Sequence, residues 1–313
     1  MVRPAGAMKF LQVDFLNPPG EPAMVTPDSP WWRVMKNPLT SAIGAVTAVI
    51  YELADPRIRS GVWDHSIFKK DPILRGQRTR LITASGYYAP ASTARRLIDN
   101  VTRMHSRVNG NLPNGEPYKA LTPELLDWVQ ATANYGYLNA YARFVKDVSE
   151  EDRKRFYRDD YPVGACYGVV NPLNSDADFF TMLDKLFPGF EPHEENVDFM
   201  NMLVSSRTGN TIPQFAKRAF VRASVSLVTQ KVRDRIGLGK EYDMTVWDKI
   251  LVRTLAFVAE HVPAKDNPAR LAAIRLGLPA NFAWLSPAKQ RAILDKNPAA
   301  MQPATPAVPM AAE

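Results

Sequence analysis

The sequence predicts an all-α protein built as a single-domain helical bundle. Three observations predict it. Apolar residues recur at three- and four-residue steps through most of the chain, no segment shows a convincing period-two alternation, and prolines and capping residues punctuate the periodic stretches. With 313 residues, 46% hydrophobic and 23% charged, the chain can bury a sizeable core in one large domain. The expected organisation is an extended N-terminal arm over 1–30, an all-α body over 31–285 and a Pro/Ala-rich disordered tail over 286–313.

The proline-rich arm ends in "TPDSP" and is expected to drape over the body. "WWRVMKNP" follows, with two tryptophans that must pack against something. Residues 40–54 form a small-residue helix in which Ala42, Ala45 and Ala48 allow a neighbour to approach, and Asp55-Pro56 breaks it. "RIRSGVWDHSIF" continues helically and leads through Asp71-Pro72 into "ILRGQRTRLITASGYY". The next helix places Ala94, Leu97, Ile98, Val101, Met104 and Val108 on one face, with Ser92 as N-cap and Asn109-Gly110 as a left-handed stop. After the turn-rich "NGNLPNGEPY", Thr122 caps a long helix that Pro123 opens. Its inward positions are Leu125, Val129, Thr132, Leu138, Tyr141 and Phe144. Further helices are expected over 150–160, 175–186, 195–205, 213–236 (ended by Gly237) and 244–262.

Composition excludes several classes. The net charge of +7 invites nucleic acid as a partner. Yet the basic residues alternate with acids, as in "SEEDRKRFYRDD", which reads as a solvated helix face, and no nucleic-acid-binding motif is present, so no nucleic-acid partner is expected. The longest apolar run, "AIGAVTAVIY", falls short of the about 20 residues a bilayer requires, so no membrane span is expected. The N-terminus lacks the apolar stretch and small-residue cleavage site of a secretory leader, which points to the cytoplasm. A lone cysteine, Cys166, rules out an intrachain disulfide and any cysteine-based metal cluster.

One residue interrupts an apolar stripe. His105 falls four residues after Val101 and three before Val108, so it points the way the core residues point, while Arg95, Arg96, Arg103 and Arg107 flank or oppose that face. Two readings stand. In one, His105 is a buried imidazole satisfied by a carbonyl, a tyrosine or the helix dipole. In the other it is a ligand, since neutral imidazole is the commonest protein donor to metals and the usual proximal ligand of haem iron.

The order of motifs weighs on that choice. "ELADPRIRSGVWDHS", then Arg75-x-x-Arg78-Thr79, then "RMHSRVNG", then "YKALTPELLDWVQAT" and "AYARFV" resembles the DUF2236 family, which is related to the fungal MpaB oxygenases and the latex-clearing rubber oxygenases. The likeness covers residues 31 to 160 well and the remainder only in helical pattern.

The resemblance implies an all-α bundle enclosing haem b, with the iron held by one histidine at the position of His105. It places Arg75, Arg78 and Thr79 in the Arg-x-x-Lys-Thr motif that lies on or near the distal side, as candidate catalytic residues. Arginine replaces the lysine, which removes an amine able to cap the iron. Arg75, Arg78, Arg80 and Arg103 are candidates to pair with the haem propionates, and Val101 and Met104 to line the porphyrin face. His65, in the family's "DHS", is taken as a structural residue oriented through Asp64 and as the runner-up iron ligand. Gln130 stands where many relatives carry the histidine of "WVHAT". Trp63, Trp128, Tyr135, Tyr137 and Tyr141 either line a substrate cavity or pack between helices.

The function this implies is a haem b-dependent oxidoreductase of the oxygenase type. It would use dioxygen or peroxide to oxidise a small organic molecule, as a tailoring step of secondary metabolism. The alternatives are a haem-binding sensor or carrier without turnover and a haem-free helical binding protein. The oligomeric state, monomer or homo-oligomer, is left open.

Overall fold

The computed structural model describes residues 13–65, 72–205, 212–302 and 304. The expected helical bundle is what forms, with a single two-stranded hairpin as the sheet structure among those residues. In chain order the elements are α1 (Pro30–Met35), α2 (Pro38–Leu53), α3 (Pro56–His65), α4 (Pro72–Tyr88), α5 (Ala91–His105), β1 (Asn109–Asn111), β2 (Pro117–Lys119), α6 (Pro123–Phe144) and α7 (Glu150–Asp159). They continue as α8 (Tyr161–Tyr167), α9 (Asp176–Leu186), α10 (Glu194–Ser205), α11 (Gln214–Val225), α12 (Gln230–Ile236), α13 (Val246–His261), α14 (Pro268–Arg275) and α15 (Pro287–Leu294).

Proline opens many of these helices because its fixed φ suits the first turn and its missing N–H is not needed there. At α2 the Asn37 side chain also accepts from the Leu39 and Thr40 amides, the capping that holds the start of the central helix. Helices α2 and α6 cross with backbone against backbone, where two glycines meet. A Cβ on Gly136 would lie 2.3 Å from the Gly44 carbonyl oxygen, and one on Gly44 would lie 2.7 Å from the Gly136 carbonyl group. Close approach was expected on this helix from Ala42, Ala45 and Ala48; the contact itself runs through Gly44, because only glycine leaves room for backbone on backbone.

Around this pair the core is aromatic. The fully buried Trp31 stacks between Tyr87 (centroids 3.8 Å apart) and Phe156 (3.9 Å), and its Nε1 donates to the Phe156 carbonyl at 2.7 Å. Trp32 is buried too and donates to the Val25 carbonyl. A second apolar cluster, including Ile43, Ala140, Ala223 and Ala256, joins α2, α6, α11 and α13. Residues 13–29 lie along the body with few regular bonds of their own, and Arg275 ties them down. Its guanidinium donates to the carbonyls of Phe15 (2.7 Å), Glu21 (2.8 Å) and Tyr88 (2.8 Å).

Several local expectations are corrected. Helix α5 begins at Ala91 without a side-chain cap, and Ser92 instead bonds Glu21 of the arm. It ends at His105, and Asn109-Gly110 enters strand β1, paired with Tyr118 and Lys119, rather than capping the helix. The span 213–236 is two helices, since residues 226–229 turn the chain before α12 starts at Gln230. On α6, Val129 is 38% exposed, whereas Leu125, Thr132, Leu138, Tyr141 and Phe144 are buried. The tail expected to be disordered from 286 begins with α15, opened by Pro287, and Leu294 and Ala300 bury against the body. The "SEEDRKRFYRDD" stretch is less solvated than read: Arg33 pairs with Asp152, Arg155 with Asp28 and Arg153 with Asp176, while Phe156 and Tyr157 are buried.

Candidate functional site

The four histidines separate cleanly by what they touch. His65, at the end of α3, sits 3.2 Å from the Tyr118 hydroxyl and so clamps the hairpin; its partner is Tyr118 rather than Asp64. His193 accepts from the Glu195 amide, and His261 bonds the Phe257 carbonyl one turn back on α13. The His105 carbonyl accepts from the Val108 amide, but its imidazole has no hydrogen-bond partner among the described residues. Sequence reasoning placed it inward, and here the structure differs. Along α5 the core-facing positions Ala91, Ala94 and Ile98 are buried, Val101 is half-buried, and at His105 the stripe is exposed. The direction of the stripe is as expected, but the core ends before the last turn. Met104, expected in a dry pocket, is 49% exposed.

The imidazole nevertheless loses hydration. Burial is the first cause that holds its pKa below the usual histidine value, and the charge of Arg75 is the second. The ring is exposed at the end of α5 and is accessible there. The result is a neutral imidazole with its nitrogens available. A hollow of about 460 Å³ bordered by Asn100, Arg103, Met104 and Arg107 opens on the other face of α5, away from the imidazole.

Helix α4 brings the basic motif toward the same place. Arg75, Arg78, Thr79 and Ile82 recur at three- and four-residue steps and share one face. Arg75 is half-buried, and burial depresses its pKa while the Glu52 carboxylate opposes that shift. Arg78 keeps a buried Nε without a hydrogen-bond partner, a donor of the kind that a native structure normally satisfies. Thr79 is exposed, and its carbonyl accepts from Thr83 Oγ1. Arg103, also exposed, donates to its helix neighbour Asn100.

Glu52 was missed by sequence reasoning. It stands in the last turn of α2 and accepts from Thr132 Oγ1 of α6 at 3.2 Å, beside the glycine-tight crossing. Burial pushes its carboxyl up to about 7, against the opposing pull of Arg75 and the Thr132 hydrogen bond. The available signal was a carboxylate continuing an apolar helical face after Ala45 and Val49, at steps of four and three. Glu52, Arg75 and His105 thus form a chain of mutually felt charges drawn from α2, α4 and α5. A carboxyl titrating near neutrality, a guanidinium and a free imidazole can hold a proton, bind an anion and donate one lone pair to a metal.

Other sequence candidates go elsewhere. Trp128, Tyr137 and Tyr141 are buried core residues, and Tyr135 stacks on Phe179 at 4.0 Å, so these four serve helix packing. Gln130 Nε2 donates to Asp160, which also accepts from Asn134 and Tyr87, so this position belongs to a buried polar network. Burial raises the Cys166 pKa, which disfavours a thiolate. Among the described residues no three His, Cys, Asp or Glu side chains converge as a metal-ligand set.

No curated protein matches the chain. No solved structure matches it either. A family model does match, over residues 32–260, and its description is "ER-bound oxygenase mpaB/B'/Rubber oxygenase, catalytic domain". The matched span covers most of the chain and contains Glu52, Arg75, Arg78, Thr79 and His105. The chain therefore belongs to this family and carries its oxygenase catalytic domain.

Proposed function

We propose that this oxygenase is haem b-dependent, uses dioxygen or peroxide to oxidise a small organic molecule, and binds the iron through His105. The observation that carries the reading is the singular state of His105: the other three histidines are engaged with protein partners, while this one is neutral, accessible and unpartnered beside Arg75. Haem brings four nitrogen ligands of its own, so one imidazole from the protein suffices to hold it. Once bound, it supplies the oxygen chemistry.

The donor set fits such a group. Arg78, with its unpartnered buried Nε, together with Arg75 and Arg103, offers guanidinium groups to two propionates, the carboxylates that arginine pairs with in bidentate fashion. Arginine at position 78 offers only N–H donors and no acceptor, so His105 is the protein ligand on this reading. Val101 and Met104 offer apolar contact on the same helix turn as the ligand.

Glu52 supplies proton handling. With its carboxyl near 7, both protonation states are populated at neutral pH, which suits a group that gives and takes a proton in one cycle. Thr132 donates to Oε1, which leaves Oε2 as the oxygen that carries the exchangeable proton. Arg75, next to that carboxyl, favours its ionised form and limits the upward shift that burial imposes. The Thr79 hydroxyl and the Arg75 guanidinium are the donors proposed to orient the oxidant. A tuned carboxyl of this kind favours turnover over a sensor or carrier role, which would require only the ligand. The setting we propose is a tailoring step of secondary metabolism.

The test is the visible spectrum of the purified protein with and without added haemin, followed by reductant-driven oxygen uptake. The expected result is a Soret band in the wild type that Glu52→Gln retains, with slowed uptake in that variant. A protein that stays colourless when offered haemin overturns the reading.

A further inference from the structure

We propose that α13 docks this protein on an anionic lipid surface. This inference is independent of the haem reading, since it rests on another face of the bundle. A helix on the surface of a globular protein normally turns its apolar stripe inward. Helix α13 does so with Val252 and Ala256, and carries a second, larger apolar stripe outward. Over 16 residues it buries only Asp248, Val252 and Ala256. Its outward side carries Trp247 (79% exposed), Ile250, Phe257 (61% exposed) and Val258. At 100° per residue these four span a continuous outward arc, and the helix is about 24 Å long. Phe215, in the first turn of the neighbouring α11, and Ile212 just before that helix are also exposed. Isolated surface hydrophobes need no explanation, but a contiguous aromatic and aliphatic face marks a binding surface.

Charge selects the occupant. Lys249 and Arg253 are exposed along one edge of the arc, and Arg218 is exposed on α11. The two carboxylates of α13 are turned inward and engaged. Asp248 pairs with Arg222 at 3.1 Å and caps the helix, while Glu260 pairs with Lys36 at 2.7 Å. Helix α11 has no acidic residue. The nearby exposed acids, Glu241 and Asp243, precede α13, and Asp243 is engaged by Arg233. A second copy seated on the helix face would therefore set Lys249 and Arg253 against the same cations with no carboxylate of α11 or α13 turned outward to answer them. A lipid surface satisfies both halves at once: the acyl boundary accepts Trp247 and Phe257, and anionic headgroups meet the basic edge. Tryptophan is the residue enriched at that depth. No helix among the described residues is long and apolar enough to cross a membrane, so the attachment proposed is one that lies on the surface.

The experiment is co-sedimentation of the full chain with vesicles of phosphatidylcholine alone and of phosphatidylcholine with phosphatidylserine, at low and high salt. Binding is expected to the anionic vesicles and to weaken with salt. Lys249→Glu with Arg253→Glu is expected to lower the affinity by about thirty-fold or more, from the worth of two basic residues at such a surface. Trp247→Glu is expected to abolish binding while leaving the circular dichroism spectrum unchanged, because that side chain packs against little of the protein. A blue shift of emission on binding that Trp247→Phe removes places the indole in the bilayer. The proposal is overturned if the folded protein binds neither vesicle, if both charged variants bind as the wild type does, or if Trp247→Glu instead dissolves a dimer in a protein that ignores lipid.

Discussion

Replacing Glu52 by glutamine tests the site without reference to a substrate. The carboxyl titrates near 7 in the folded chain against 4.5 for an ordinary glutamate, so the fold holds the proton more tightly than the unfolded chain does. The contribution is therefore fully present below 4.5 and is lost as pH rises through about 7. At 1.36 kcal/mol per pH unit the gap corresponds to roughly 3 kcal/mol once Glu52 is fully ionised. Glutamine keeps an oxygen for the Thr132 hydroxyl and cannot ionise. It also deprives Arg75 of a counter-charge, which trims the gain. Glu52→Gln is expected to be near neutral at about pH 5 and to stabilise the haemin-free protein by about 1–3 kcal/mol at about pH 8.5. Urea denaturation of both proteins at the two pH values measures it, the midpoint difference times the slope giving the free energy. A variant destabilised equally at both pH values would refute the reasoning, because it would make Glu52 an ordinary structural hydrogen-bond partner.

Gly136→Ala is expected to cost at least about 3 kcal/mol, since its Cβ would meet helix backbone at 2.3 Å, and thermal melting with a lowered midpoint checks it. Gly76→Ala, in an exposed turn of α4 with nothing within 4 Å of the added carbon, is expected to raise stability by about 0.5–1 kcal/mol in the same assay. Arg78→Ala is expected to weaken haemin binding about ten-fold or more, the scale of a lost charge-assisted pair, measured by competition with an apo-haem acceptor. Thr79→Ala is expected to leave haemin affinity unchanged and to slow oxygen uptake; lost affinity would make it an anchoring residue instead.

Much of the bundle was legible because proline, capping residues and apolar period are local signals. Pro123 and Gly237 mark real helix boundaries, and both Trp31 and Trp32 are buried as their size demanded. The misreadings have a common cause in tertiary partners. Ser92 answers Glu21 of the arm instead of its own helix, and Asn109-Gly110 pairs with a strand whose residues read as a turn. The Gly44–Gly136 contact joins positions 92 apart, which no window along the chain reports. At the site, His105, Arg75 and Arg78 were found from motif spacing and family resemblance. Glu52 was not, because its significance lies in Thr132 and Arg75, which reach it from two other helices. The outward apolar face of α13 was hidden for a related reason: periodicity identifies a stripe but not the side on which the protein lies.

The central claim is that His105 is the residue that grips iron. Titration of haemin into the wild type, His105→Ala and His65→Ala, followed at the Soret band, tests it most directly. The account predicts one equivalent bound by the wild type and by His65→Ala, whose hairpin clamp is remote from the ligand role, and none bound specifically by His105→Ala. A His105→Ala protein that binds haemin as the wild type does, with the band lost in His65→Ala, would contradict it.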